Sequence, residues 1–425
     1  MSALIFLGSL FGAMAIGVPV AFALMACAVA MMWSLGLMDA QILAQKLVDG
    51  ADSYPLMAIP FFLLAGELMN AGGLSKRIVN VALAMFGHLR GGLGYVVIGT
   101  GVLLATLSGS AIADTATLAV MLLPLMREAG YRVDRTSGLM AATGIIAPVI
   151  PPSIGFVVLG VTANLSIIKL FMAGIVPGLL MALALVVTWW LVSRRDAFTA
   201  LPKQSTGEVF VALRKALWAL MLPAIIIAGL RFGLFTPTEA GIVAAAYALF
   251  VGTVVYRELS LKALYDCLLA ATKVTAIIML LVAASSVTAF LITIANVPAQ
   301  VIGVLSPLMD NPTLLMAVIM LAVLAIGTVL DFTPSITILI PVLMPVVVAA
   351  GIDPIYFGVV FIIGAAIGMI TPPVGAVLNT VSGVARISME DAARGVLPFL
   401  AAEILVLALL ILFPWIVTGP VSWFF

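Results

Sequence analysis

Two short polar strings interrupt otherwise apolar stretches, Ser108-Gly109-Ser110 and Asp331-Phe332-Thr333. Each has a companion in a proline-rich break, Pro148-Val149-Ile150-Pro151-Pro152-Ser153 and Thr371-Pro372-Pro373-Val374-Gly375. Prolines remove amide donors and clash with preceding carbonyls, so a helix must break at these places. Gly and Ser likewise favour tips over helix interiors. Breaks of this kind free backbone carbonyls and present hydroxyls, which are the ligands a hard cation takes. Sodium is therefore the expected coupling ion. One site would draw on Thr106, Ser108, Ser110, Ala147, Ile150 and Pro152, and a twin on Gly327, Asp331, Gly368 and Thr371.

Half-helix N-termini at the same tips favour negative charge, so an anionic substrate fits beside the cations. Candidate substrate contacts are Ser110, Ser153, Asp331, Thr333 and Asn379. Ionisable groups inside apolar segments are functional suspects, and Asp114 and Asp331 lie within the tips. Glu239 follows Phe235-Thr236-Pro237-Thr238 and reads instead as a helix cap, while Glu67 and Glu403 are expected at an interface or a partner chain. Enzyme chemistry finds no base. His88, the single histidine, sits in a short basic loop, and neither HExxH nor GxSxG occurs. Cys27 and Cys267 read as small buried hydrophobes without metal-type spacing.

The elements that must hold these strings are membrane helices. Of 425 residues 64% are hydrophobic and 9% charged, against roughly 25% charged in a soluble domain. The net charge of +1 gives no basic surface for nucleic acid. The apolar stretches, at about 20 residues per pass, predict an all-α polytopic membrane protein with roughly 11–13 transmembrane helices plus two re-entrant hairpins. Hairpins are expected over 92–126 and 313–350, because each tip divides its stretch into arms too short to cross. Broken helices are expected over 138–163 and 355–384. The apolar run from Ala3 to Leu37 is too long for a signal peptide core and reads as retained membrane helix. Gly17 and Pro19 make it either one kinked helix or two short ones. Trp189, Trp190, Trp415 and Trp423 read as interfacial belt residues.

Residues 193–215 form a charged linker, cytoplasmic by its excess of Arg and Lys, with both termini outside. The two sides of it match at a constant offset of 221 residues. Pro124 pairs with Pro345, Gly130 with Gly351, Pro151-Pro152 with Pro372-Pro373, Gly174 with Gly395 and Pro177 with Pro398. Segments 1–192 and 216–425 are thus expected to be inverted repeats, the pattern of a secondary transporter with its site between the halves.

These strings together resemble the large membrane subunit, DctM type, of the tripartite ATP-independent periplasmic (TRAP) transporters. The matching stretches are Phe61-Phe62-Leu63-Leu64-Ala65-Gly66-Glu67-Leu68-Met69, Ser-Gly-Ser-x-x-Ala-Asp-Thr from Ser108, Ile150-Pro151-Pro152-Ser153, Phe235-Thr236-Pro237-Thr238-Glu239-Ala240-Gly241, and Asp331 with Thr371-Pro372-Pro373. The likeness runs along nearly the whole chain and is strongest to the branch that carries sugar acids such as diketogulonate. It implies sodium-coupled import of an organic acid, of sugar-acid or C4-dicarboxylate type, across the bacterial inner membrane. It also implies an elevator in which the hairpins and broken helices form a transport domain. Helices around 4–37 and 216–256 would then form the scaffold. The implied partners are a periplasmic substrate-binding protein (DctP type) and a small membrane subunit (DctQ type), expected here as a separate chain. The competing expectation is a stand-alone sodium/anion symporter of the same broad superfamily.

Overall fold

The computed structural model describes residues 2–194 and 201–424, and among these the regular structure is helical throughout. The chain opens with α1 (Ser2–Ala15), α2 (Val20–Leu35), α3 (Ala40–Ala51), α4 (Ala58–Ala71) and α5 (Leu74–Phe86). A hairpin of α6 (Gly92–Ser108) and α7 (Ala111–Glu128) follows, then the half-helices α8 (Val133–Gly144) and α9 (Ile154–Thr162), and the long α10 (Ile167–Ser193). Beyond the link come α11 (Thr206–Arg231), α12 (Pro237–Phe250), α13 (Leu261–Ile294) and α14 (Val297–Leu305). A second hairpin is made by α15 (Pro312–Gly327) and α16 (Phe332–Ala349). Half-helices α17 (Pro354–Gly368) and α18 (Ala376–Ala385) lead to α19 (Met389–Leu412) and α20 (Trp415–Phe424).

Shifted by 221 residues, the starts of α6, α7, α8, α9 and α10 fall within one residue of the starts of α15, α16, α17, α18 and α19. The matched prolines behave alike: Pro151-Pro152 and Pro372-Pro373 are both joined by cis bonds. Packing then crosses between the halves. Helix α7 lies on α18, α16 lies on α9, and α8 lies along α19. Gly138 and Gly395 make that last approach backbone to backbone.

The half-helices form the centre. Every residue of α17 from Tyr356 to Gly368 is buried, as is the stretch from Thr136 through Leu159 across the first break. Helices apolar on all sides are those enclosed by other helices or lipid. A second apolar cluster joins α1 and α2 to α13 through Phe6, Leu10, Leu24, Met31 and Leu291. Seven helices among the described residues are individually long and apolar enough to cross a membrane. Beyond these seven, the expected passes rest on shorter helices, including the paired halves α8–α9 and α17–α18.

Local chemistry refines several expectations. The first apolar run is two helices, because Gly17 takes a left-handed φ of 86° between α1 and α2. The link is shorter than its charge pattern suggested. Ser205 and Glu208 form a reciprocal capping box, so α11 begins at Thr206. Arg195 and Asp196 of the expected linker, and the side chain of Trp423, lie outside the described residues.

Two expectations are overturned. Trp189 is not an interfacial residue: it is fully buried, stacks on Tyr131 and Phe399, and donates from Nε1 to the Gly91 carbonyl at 2.9 Å. Trp190 and Trp415 do face outward. Glu403 likewise faces neither lipid nor a partner. It is 0% exposed inside the chain, and neither carboxylate oxygen has a hydrogen-bond partner among the described residues.

Candidate transport site

The first tip is built by two caps meeting. Helix α6 ends at Ser108, Gly109 turns the chain at φ 61°, and Ser110 opens α7 by accepting from the Ala113 amide at 3.4 Å. Gly109 is required twice, by its positive φ and by its neighbours. A methyl group there would meet the Pro152 carbonyl oxygen at 2.9 Å and the Ile154 nitrogen at 3.1 Å. The tip therefore rests directly on the first proline break. Behind it, Ser108 Oγ donates to Asp114 Oδ1 and accepts from the Ser110 amide at 3.2 Å. Asp114 is buried, and its Oδ2 has no partner among the described residues. Asp114 thus braces the tip from within.

The second tip repeats the device with an acid. Asp331 caps α16, its Oδ1 accepting from the Phe332 amide at 2.7 Å, and its carbonyl accepts from Ser335 Oγ at 2.9 Å. The turn before it is tied to the second break, where the Gly375 amide donates to the Thr328 carbonyl at 3.0 Å. Helices α15 and α17 touch through glycines, with the Cα of Gly327 only 2.6 Å from where a methyl on Gly368 would stand.

The expected cation ligands lie along the two tip-and-break pairs. At the first break, the carbonyls of Ala147, Ile150 and Pro152 accept no hydrogen bond among the described residues. Buried carbonyls are rarely left so. Ser108 and Ser110 stand over that break on the tip, while Thr106 turns its hydroxyl back to the Leu103 carbonyl at 2.6 Å. At the second break, Gly327 and Gly368 are in contact. The Gly368 carbonyl accepts from the Thr371 amide at 2.9 Å, and Thr371 Oγ1 donates to Ile367 at 2.8 Å. The Gly368 carbonyl keeps a second lone pair for an ion. No cluster of His, Cys, Asp or Glu suited to a transition metal occurs among the described residues.

Between the two tips lies a cavity of about 370 Å³. Ser110 lines it from the first hairpin, and Asp331, Phe332, Thr333 and Pro334 from the second. Ile154 contributes the start of α9, and Pro19 to Phe22 the start of α2. Four helix N-termini thus converge on one space, those of α2, α7, α9 and α16. Their partial positive charge and free amides favour an anion. No Lys or Arg lines the cavity, and Asp331 is its one ionisable side chain. The opposite wall is apolar, built from Leu63 of α4 and Val274 to Leu281 of α13.

Of the expected substrate contacts, Ser110, Asp331 and Thr333 face this cavity. Ser153 stands one residue from it, but its hydroxyl is committed, donating to Pro148 at 2.5 Å and capping Phe156 at 3.2 Å. Asn379 is not brought to the cavity; it lies exposed on α18, which packs on α7 and α8. Sequence reasoning missed the α2 and α13 walls, whose apolar residues carry no chemical signature. It also missed the buried hydroxyls of Thr100, Thr115 and Thr143, which have no partner among the described residues. Small hydroxyls at helical spacing in an apolar stretch were the available signal. Glu239 completes a capping box with Thr236, so its role is structural.

Paired hairpins and broken helices around a cavity, in a chain of membrane-length apolar helices, define an integral membrane transporter rather than an enzyme. The chain matches the family model "Tripartite ATP-independent periplasmic transporter, DctM component" over residues 7–416, and it belongs to that family. It is 53% identical over 423 residues, covering 100% of both chains, to the 2,3-diketo-L-gulonate TRAP transporter large permease protein YiaN of Escherichia coli. It is 40% identical over 410 residues to the sialic acid TRAP transporter large permease protein SiaM of Vibrio cholerae, covering 96% of each chain. Among solved structures, the YdaH transporter of Alcanivorax borkumensis shares the fold at 17% identity, with a TM-score of 0.63 and 91% of each chain covered.

Proposed function

We propose that this chain is the large permease of a three-part importer, moving an organic acid of the sugar-acid class inward at the expense of a sodium gradient. The observation that carries the reading is the charge pattern of the cavity. It collects four helix N-termini and two polar tips, yet its one ionisable side chain is acidic. A carboxylate entering beside Asp331 needs compensating positive charge, and the carbonyls behind each tip are where sodium would supply it. Cation binding would therefore precede and create the acid's site, which couples the two fluxes. Its volume lies within the range of small-molecule sites. The 53% identity to a diketogulonate permease favours a sugar acid over a C4-dicarboxylate.

The two halves would be inverted repeats joined by a cytoplasmic link, in the inner membrane. The tips and breaks would travel against the wall of α2, α4 and α13 in an elevator motion. The apolar character of that wall supports this, because a smooth hydrocarbon surface lets a polar cargo slide without exchanging hydrogen bonds. A small membrane subunit and a periplasmic binding protein complete the system.

Reconstitution into liposomes with those two partners tests the proposal. An inward sodium gradient is expected to drive uptake of one sugar acid among a panel of organic acids. Uptake at full rate by this chain alone would instead make it a stand-alone symporter.

A further inference from the structure

We infer that a groove between α5, α6 and α10 is a binding site for one anionic phospholipid, with its phosphate on Arg90 and Arg194 and an acyl chain along the groove. The groove encloses about 860 Å³ and is separate from the transport cavity. Its walls are apolar: Phe86 at the end of α5, Ile98 and Val102 on α6, Leu183 and Val187 on α10. Tyr95 and Trp190 are the side chains in it with a polar atom. Leu183 is 57% exposed, so the groove opens sideways toward lipid. Such a lining suits hydrocarbon and offers water too few partners.

The rim carries the complementary charge. Trp190 forms part of the groove wall, and the Arg194 guanidinium lies 3.3 Å from its ring centroid. Arg90 reaches the end of α10 from the α5–α6 loop, donating to the Arg194 carbonyl at 3.0 Å. The Arg194 guanidinium is thus held on the groove wall by the indole ring, and Arg90 is tied to the Arg194 backbone at the same end of the groove. Each keeps further N–H donors, the fork that suits phosphate. The link crosses the same loop, the Leu201 amide meeting the Gly87 carbonyl at 3.4 Å. Its positive residues place this rim at the cytoplasmic leaflet, where anionic lipid is concentrated. Helix α5 packs chiefly on α11 and α6, and α10 on α19 and α20. A lipid here would bridge α5 and α10, which both pack on α6 at the floor of the groove.

Native mass spectrometry of the purified chain, with phosphatidylglycerol or phosphatidylcholine of matched acyl chains, tests this. The unaltered chain is expected to hold one phosphatidylglycerol about fivefold more than phosphatidylcholine. Arg90→Gln with Arg194→Gln should abolish that preference, and the paired lysine variants should restore it. Leu183→Trp with Val187→Trp should lower retention of both lipids, since the indoles fill the groove. Thermal midpoints of all variants, measured alongside, report folding independently. Equal retention of the two lipids by the unaltered chain, preference surviving in the glutamine variant, or retention undiminished by the two tryptophans would each overturn the proposal.

Discussion

Asp331 is both the N-cap of α16 and the one ionisable side chain on the cavity wall. Ser110 holds the equivalent place on α7, 221 residues earlier. Both combine a structural bond to an amide with a place on the cavity wall. Ser110→Ala or Asp331→Ala should lower uptake by about tenfold to a hundredfold, the loss of roughly 1–3 kcal/mol for a vacated polar partner. Membrane insertion should persist, and normal uptake in both variants would refute the site. Asn379→Ala should leave uptake unchanged, because Asn379 is exposed on α18 away from the cavity. A large loss there would show that α18 reaches substrate in another state. The tips were legible in sequence because Ser, Gly and Asp are conspicuous within apolar stretches. Glu403 and Trp189 were misread because burial is a tertiary property: an acid on an apolar helix and an indole near a helix end look interfacial until neighbouring helices close around them.

At the scale of elements, the breaks matter as much as the tips. Helices α15 and α17 approach through Gly327 and Gly368, with no room for a side chain between them. Gly368→Leu should therefore part the second tip from its break, costing about 1–3 kcal/mol in thermal stability and weakening sodium dependence. Gly303→Ala is the control, since nothing lies within 4 Å of a methyl group there. Equal behaviour of the two variants in a detergent melt would remove the close approach from the account of the site. Prolines and the 221-residue offset made these breaks visible in advance. The exchange of partners between halves, α7 on α18 and α16 on α9, was not visible. An internal repeat fixes which elements correspond, but not which ones pack, and apolar surfaces such as those of α2 and α13 give no pairwise signal.

Over the whole molecule, the cavity has one acid and no Lys or Arg, so helix N-termini are the chain's own positive charge there. Sodium behind both tips would add to it, and two such ions would make uptake depend on sodium more steeply than a single site allows. Composition alone announced a membrane protein, and the repeated tips announced a transporter. The identity of the cargo was beyond reach, because the proposed contacts are backbone amides and carbonyls, and every residue type carries them. The most direct measurement is the initial rate of sugar-acid uptake into liposomes holding the complete three-part system, as external sodium is replaced stepwise by potassium. The expected curve is sigmoidal in sodium and falls to background in potassium alone. An unchanged rate in potassium would contradict sodium coupling and, with it, the assignment of the two tip-and-break sites.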